Sequence, residues 1–109
     1  MRKELRLRKN EEFGKIRHQN CCLKNVSFIL YVAPKKQPLA RFGLSVSKRN
    51  GNAVVRNKIK RQLRMMIQET VDFENYPLDC IVIVRKLYLE QDYATNKKAL
   101  EKLLNKAII

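Results

Sequence analysis

The stretch KRNGNAVVRNKIKRQLRM, Lys48 to Met65, holds seven Lys or Arg and no acidic residue, yet its aliphatic residues recur at helical spacing. That combination restricts what the chain can fold into. With Arg56 at zero and about 100° per residue, Val55, Ile59, Leu63, Met66 and Ile67 share an arc of about 120°, wide enough to lie on a sheet. Arg56, Lys60 and Arg64 form an i, i+4, i+8 row beside that arc, with Asn57 and Arg61 further round and Lys58 nearer the back. No Asp or Glu stands three or four residues from this row. Glu69 reaches Arg64 only through a long i+5 contact at best. Like charges at i, i+4 each cost a helix a few tenths of a kcal/mol. An ordinary solvated face mixes both signs, whereas this one needs an anionic partner. Asn50-Gly51 is a turn signal and Asn52 a good N-cap, so the helix is predicted over Ala53–Val71. Gly51 permits that turn, and a turn there can approach a phosphate. The Gly-Lys-Ser/Thr ending of a P-loop is absent. Arg forks onto backbone phosphates, and Asn57 can bond a sugar or base edge.

The rest of the chain agrees. Its 109 residues suit one domain. With 45% apolar residues, one core is feasible, while 24 Lys+Arg against 10 Asp+Glu give +14 and a pI near 10.1. Such a charge repels itself in a compact state, and its usual complement is nucleic acid, with an anionic membrane second. No apolar run approaches the roughly 20 residues of a membrane span. Met1 to Asn10 lacks the apolar stretch of a secretory signal. Cys21, Cys22 and Cys80 are odd in number, two are adjacent, and only His18 is near them. They are read as reduced, structural cysteines of a cytosolic protein rather than disulfides or zinc ligands.

Residues 1–9 are expected to be a mobile basic arm within a single domain spanning 1–109. Asn10 can cap a short helix with Glu11 and Glu12 in its first turn and Phe13 and Ile16 on its apolar edge. Asn25 to Ala33 reads as a strand with Val26, Phe28, Leu30 and Val32 on one face and Ser27, Ile29, Tyr31 and Ala33 on the other. Pro34 to Pro38 is a turn. Arg41 to Ser47 alternates Phe42, Leu44 and Val46 against Gly43, Ser45 and Ser47. Leu78 to Lys86 is too continuously apolar for an edge strand. Asp92 can cap a last helix with the stripe Leu100, Leu103, Leu104 and Ala107. The order is α-β-β-α-β-α, with a short extra strand around Cys21 to Lys24.

The residues GNAVVRNKIKRQLR resemble the signature motif of the bacterial ribonuclease P protein subunit. The flanking segments NEEF, FILYV, GLSVSKR and IVIVRK match in the same order, so the resemblance runs from about Asn10 to Leu104. It implies an α+β fold: a single-domain α/β sandwich with a four-stranded sheet and three helices, in the order α-β-β-β-α-β-α. It also implies a left-handed βαβ crossover, where handedness rules favour the right-handed form. By the same resemblance, a catalytic RNA and its magnesium ions cut precursor tRNA at the mature 5′ end. The protein carries no catalytic residue and no metal of its own. Arg49, Gly51, Asn52, Arg56, Asn57, Lys60, Arg61 and Arg64 match the contacts to the catalytic RNA. Phe13, Arg17, Ile29, Tyr31 and Ser45 match a cleft for the 5′ leader. Phe13 and Tyr31 would equally serve as a small second core under the first helix.

Two positions depart from the family pattern. Arg17 stands where a second aromatic is usual, and Met65 where an acid is usual. The competing readings are a ribosomal or other structural RNA-binding protein, a protein-only nuclease and a DNA-binding protein. The scattered acids and single His18 argue against the nuclease. The expected location is the cytoplasm, with no membrane and no obligate protein partner.

Overall fold

A computed structural model describes residues 5–7, 14 and 22–108. Its strands are β1 (Cys22–Lys24), β2 (Phe28–Pro34), β3 (Phe42–Ser45) and β4 (Leu78–Val84), and its helices are α1 (Ala53–Thr70) and α2 (Tyr93–Ala107). Short 3₁₀ turns at Lys48–Asn50 and Lys86–Glu90 precede the two helices. The sheet order is β1-β2-β4-β3. The pairs β1/β2 and β2/β4 are antiparallel, and β3/β4 is parallel. The apolar run of β4 thus lies in the interior of the sheet, between β2 and β3. A parallel β3/β4 pair needs a crossover, and α1 supplies it. The result is a mixed α+β single domain. The predicted first helix, capped by Asn10 with Phe13 and Ile16 on its apolar edge, lies outside the described residues except for Gly14, whose backbone is helical.

The amphipathic arcs dock as their spacing requires. Ile59, Leu63, Met66 and Ile67 of α1 and Leu100, Leu103 and Leu104 of α2 are buried against Phe28, Leu30, Val32, Phe42 and Val82 of the sheet. Val55 and Ala107 pack at the margin of this core. Each such aliphatic side chain stabilises the fold by about 1.5–3 kcal/mol on burial. Edge-on aromatic contacts join Phe28 to Tyr88 and Phe42 to Phe73, with centroids 5.7 and 5.8 Å apart. The caps form as read: the Asn52 and Asp92 side chains accept from the Val55 and Thr95 N–H groups.

Three expectations need correction. Val26 is 60% exposed and Ser27 is buried, opposite to their assigned faces. The Asn25 carboxamide oxygen accepts from the N–H groups of Ser27 and Phe28 at 3.0 and 2.8 Å, which turns the chain before the strand begins. Residues 5–7 are not a free arm. Leu5 and Leu7 are buried, Arg6 bridges to Phe42, and the Leu7 N–H donates to the Phe42 carbonyl at 3.0 Å. This short segment covers part of the open edge of β3. The Glu69 carboxylate accepts from Tyr93 Oη at 3.0 Å and Lys97 Nζ at 2.9 Å. Finally, Cys80 is buried, and burial pushes its thiol pKa up, but Cys22 is exposed and so is not a core residue.

Candidate nucleic-acid interface

The basic row begins where β3 ends. The 3₁₀ turn Lys48–Asn50 leads into Gly51, whose φ of +127° and ψ of −171° lie in a region essentially reserved for glycine. Asn50 anchors this turn. It is 2% exposed, its Oδ1 accepts from Ser47 Oγ at 3.2 Å, and its Nδ2 donates to the Arg85 carbonyl at 3.5 Å. Arg49, Gly51 and Asn52 are left exposed on the outside. Of the residues assigned to RNA contact, Asn52 has a second duty, because its side-chain oxygen is committed to the cap.

Along α1, Arg56, Lys60 and Arg64 are half-buried, while Asn57, Lys58 and Arg61 are exposed. Half-burial places the aliphatic stems against the protein. The Arg56 Nε is enclosed, with no hydrogen-bond partner among the described residues. No acidic residue occupies the first turn of α1, so the positive end of the helix dipole adds to the side-chain field. One sequence signal went unused: no Asp or Glu occurs anywhere between Glu12 and Glu69. Strands β1, β2 and β3 are therefore as free of acid as the basic row of α1.

The far face of the sheet, opposite α1 and α2, is fixed by register. Lys24, Ile29, Ile83 and Ser45 form one row across it, and Cys22, Tyr31, Ile81 and Gly43 form the next. Ile29, Tyr31 and Ser45, read from sequence as leader-contacting, thus share one face and are half-buried. Cys22, Lys24 and Ile83 share this face too, which only strand register could show, while alternation within β3 had already set Gly43 beside Ser45. Tyr31 and Ile83 pack at the edge of a small cluster of Leu7, Ala33 and Ile81, so Tyr31 is partly a core residue. Phe13 and Arg17 lie outside the described residues. At one end of this face the buried Asp79 carboxylate accepts from the Arg41 guanidinium at 3.3 Å and from its backbone N–H at 2.9 Å.

Among the described residues no group of three or more His, Cys, Asp or Glu is placed to hold a metal ion, and no helix is long and apolar enough to cross a membrane. The arrangement offers fixed cations and a partly apolar sheet face.

A small α+β scaffold with an acid-free cationic helix flank beside an apolar, tyrosine-bearing sheet face defines a basic protein of the polyanion-binding class. The chain belongs to the ribonuclease P protein family: the Ribonuclease P family model matches residues 1–108. The ribonuclease P protein component of Mycoplasma mycoides is 41% identical over 99 residues, covering 90% of this chain and 91% of that protein. The Bacillus velezensis component is 43% identical over 108 residues, covering 97% and 91%. Among solved structures, a Staphylococcus aureus RNase P protein mutant with defective mRNA degradation activity superposes with a TM-score of 0.86 at 33% identity, covering 96% of this chain and 89% of that one. The Thermotoga maritima RNase P protein gives 0.81 at 29%, covering 93% and 96%.

Proposed function

We propose that this protein binds the catalytic RNA of ribonuclease P through the α1 flank and the 5′ leader of precursor tRNA through the far face of the sheet. The observation that carries this reading is the uninterrupted cation row Arg56–Lys60–Arg64, next to a glycine turn and with no carboxylate within helical reach. Phosphates are the natural counter-charge for this row. Arg49 and Arg61 widen the strip, and Asn57 contacts a sugar or base edge. On the far face Tyr31 offers a π-surface to an unstacked leader base, with Ile29 and Ser45 beside it, Lys24 at the rim, and Phe13 and Arg17 completing the cleft.

In this reading the RNA carries the chemistry. The magnesium ions of the holoenzyme would be held by that RNA, where they would supply activation of the attacking water. The protein holds the leader and screens phosphate charge where the two RNAs meet. The family fold adds a first helix over the far face of the sheet, giving the order α-β-β-β-α-β-α. It also makes the β3-α1-β4 crossover left-handed. One domain over residues 1–109, acting in the cytoplasm, completes the reading.

Reconstitution with a bacterial ribonuclease P RNA and a precursor tRNA tests it. The protein should lower the magnesium needed for cleavage and should not cut RNA alone. Neutralising about six phosphates gives a log–log salt slope near −4 to −5, and Arg56→Ala, Lys60→Ala or Arg64→Ala should each flatten it by about one unit. A slope near zero would exclude α1 as the RNA-binding flank.

A further inference from the structure

The outer flank of α2 repeats the arrangement of the α1 row. Lys98, Lys102 and Lys106 stand at i, i+4 and i+8, all exposed, and none is in an ion pair among the described residues. Lys97 is different, being bonded to Glu69 of α1. Glu101, three residues after Lys98, also acts on Lys97. Lys106, in the last turn, also complements the helix dipole, but Lys98 and Lys102 have no such role.

A groove of about 320 Å³ runs beside this row, lined by Asn25, Val26, Gln91, Thr95, Lys98 and Lys102 among others. Hydrogen bonds tie its walls together. Asn25 Nδ2 donates to the Ala99 carbonyl at 3.0 Å, and Ser27 Oγ donates to Gln91 Oε1 at 2.6 Å. Gln91 therefore keeps its amide N–H groups for a ligand. Val26, 60% exposed, gives the groove an apolar patch. Two ammonium groups, an amide donor and a small apolar surface suit a ribose-phosphate backbone, with the amide on a 2′-hydroxyl or phosphate oxygen.

The two rows face opposite ways. The Glu69–Lys97 and Glu69–Tyr93 bonds mark where the helices face each other. Arg56, Lys60 and Arg64 lie about 140–180° around α1 from Glu69, and Lys98, Lys102 and Lys106 lie about 100–180° around α2 from Lys97. One straight backbone cannot follow both flanks. The geometry points to a second RNA-binding face on α2, centred on Lys98, Lys102 and the Val26–Gln91 groove, that holds a separate segment of the folded catalytic RNA. The catalytic RNA is the occupant because this face belongs to the helix layer, whereas the leader surface is on the other side of the sheet. This inference rests on the assignment of α1 to the same RNA.

The test measures affinity for the catalytic RNA against salt concentration for wild type, Arg56→Ala, and the combined variant Lys98→Gln/Lys102→Gln/Lys106→Gln. Gln matches Lys in helix propensity, and a Lys98→Gln/Lys102→Gln variant leaves the Lys106 dipole contact in place. At about 0.7–0.9 per phosphate, the triple change should flatten the log–log slope by about two units and the double change by between one and two, with circular dichroism unchanged. An unaltered slope in both lysine variants, with Arg56→Ala still flattening it, overturns the second face and leaves the α1 assignment standing. If none of the variants flattens the slope, the α1 assignment falls with it. If the lysine variants bind catalytic RNA normally but weaken the holoenzyme's hold on mature tRNA, the face belongs to the substrate and the inference is wrong.

Discussion

Replacing Gly51 by alanine tests the link between backbone conformation and the basic row. At φ +127° and ψ −171°, a residue with a Cβ sits in a region that costs about 1–3 kcal/mol. A Cβ built there would also lie 2.9 Å from Val55 Cγ1 and 3.0 Å from Val55 Cβ, closer than such atoms approach. Val55 is β-branched and held to one rotamer in the helix, so it yields little. Relief must come from the turn, at the expense of the Asn52 cap, whose loss costs about 1 kcal/mol. The total is about 2–4 kcal/mol. At the low end of urea m-values, about 1 kcal/mol per M, the unfolding midpoint should fall by about 2–4 M. Binding to the catalytic RNA should weaken too, because Arg49 and the first turn of α1 lose their relative placement. Urea unfolding followed by circular dichroism reads the first effect, and filter binding at fixed salt reads the second. A Gly51→Ala protein with an unchanged midpoint would refute the claim that this turn needs glycine. A lowered midpoint with unchanged RNA affinity would refute the coupling of the turn to the interface.

Ile59→Ala, at a side chain 1% exposed, should cost about 2–5 kcal/mol in urea unfolding, and a neutral result would break the helical register from which the basic row is read. Tyr31→Ala should lower the reconstituted enzyme's affinity for precursor tRNA by about 1–3 kcal/mol while mature tRNA binds unchanged, and equal losses would make Tyr31 a core residue alone. For pH, bonds from the Thr95 hydroxyl and N–H hold the Asp92 carboxyl below its usual 3.8. A group lowered in the native state stabilises above its unfolded value and loses that contribution as pH falls through the native one. Asp92→Asn keeps a capping oxygen but cannot titrate, so the advantage of wild type should shrink below about pH 4. A wild-type advantage that stays constant down to pH 3 would reject this account.

The far face of the sheet shows where pattern reading stops. Alternation alone put Ile29, Tyr31 and Ser45 on a face away from the core, and the structure keeps them together. It could not say which residues of another strand stand beside them, because strand register is a pairing between distant segments. Ile83 lies in a run of uniformly apolar residues that carries no facing information, yet it separates Ile29 from Ser45. The error at Val26 and Ser27 has a local cause with a tertiary anchor. Asn25 turns the chain with its own side chain but is held there by the Ala99 carbonyl, 74 residues away. Likewise, Leu5 and Leu7 look like part of a basic tail until β3 presents an unpaired edge for them to cover.

By itself the sequence determined what depends on neighbours within one or two turns of chain. These are the helical arc and cation row of α1, the Asn52 and Asp92 caps, the alternation of β2 and β3, and the excess of positive charge. Each follows from a fixed period or a cap geometry spanning three or four residues. Only the tertiary structure decided which elements touch: β4 between β2 and β3, Glu69 bonded to α2, and Asn50 buried. It also set the two lysine- and arginine-bearing flanks back to back. Those outcomes rest on contacts between residues tens of positions apart, and no local period encodes them.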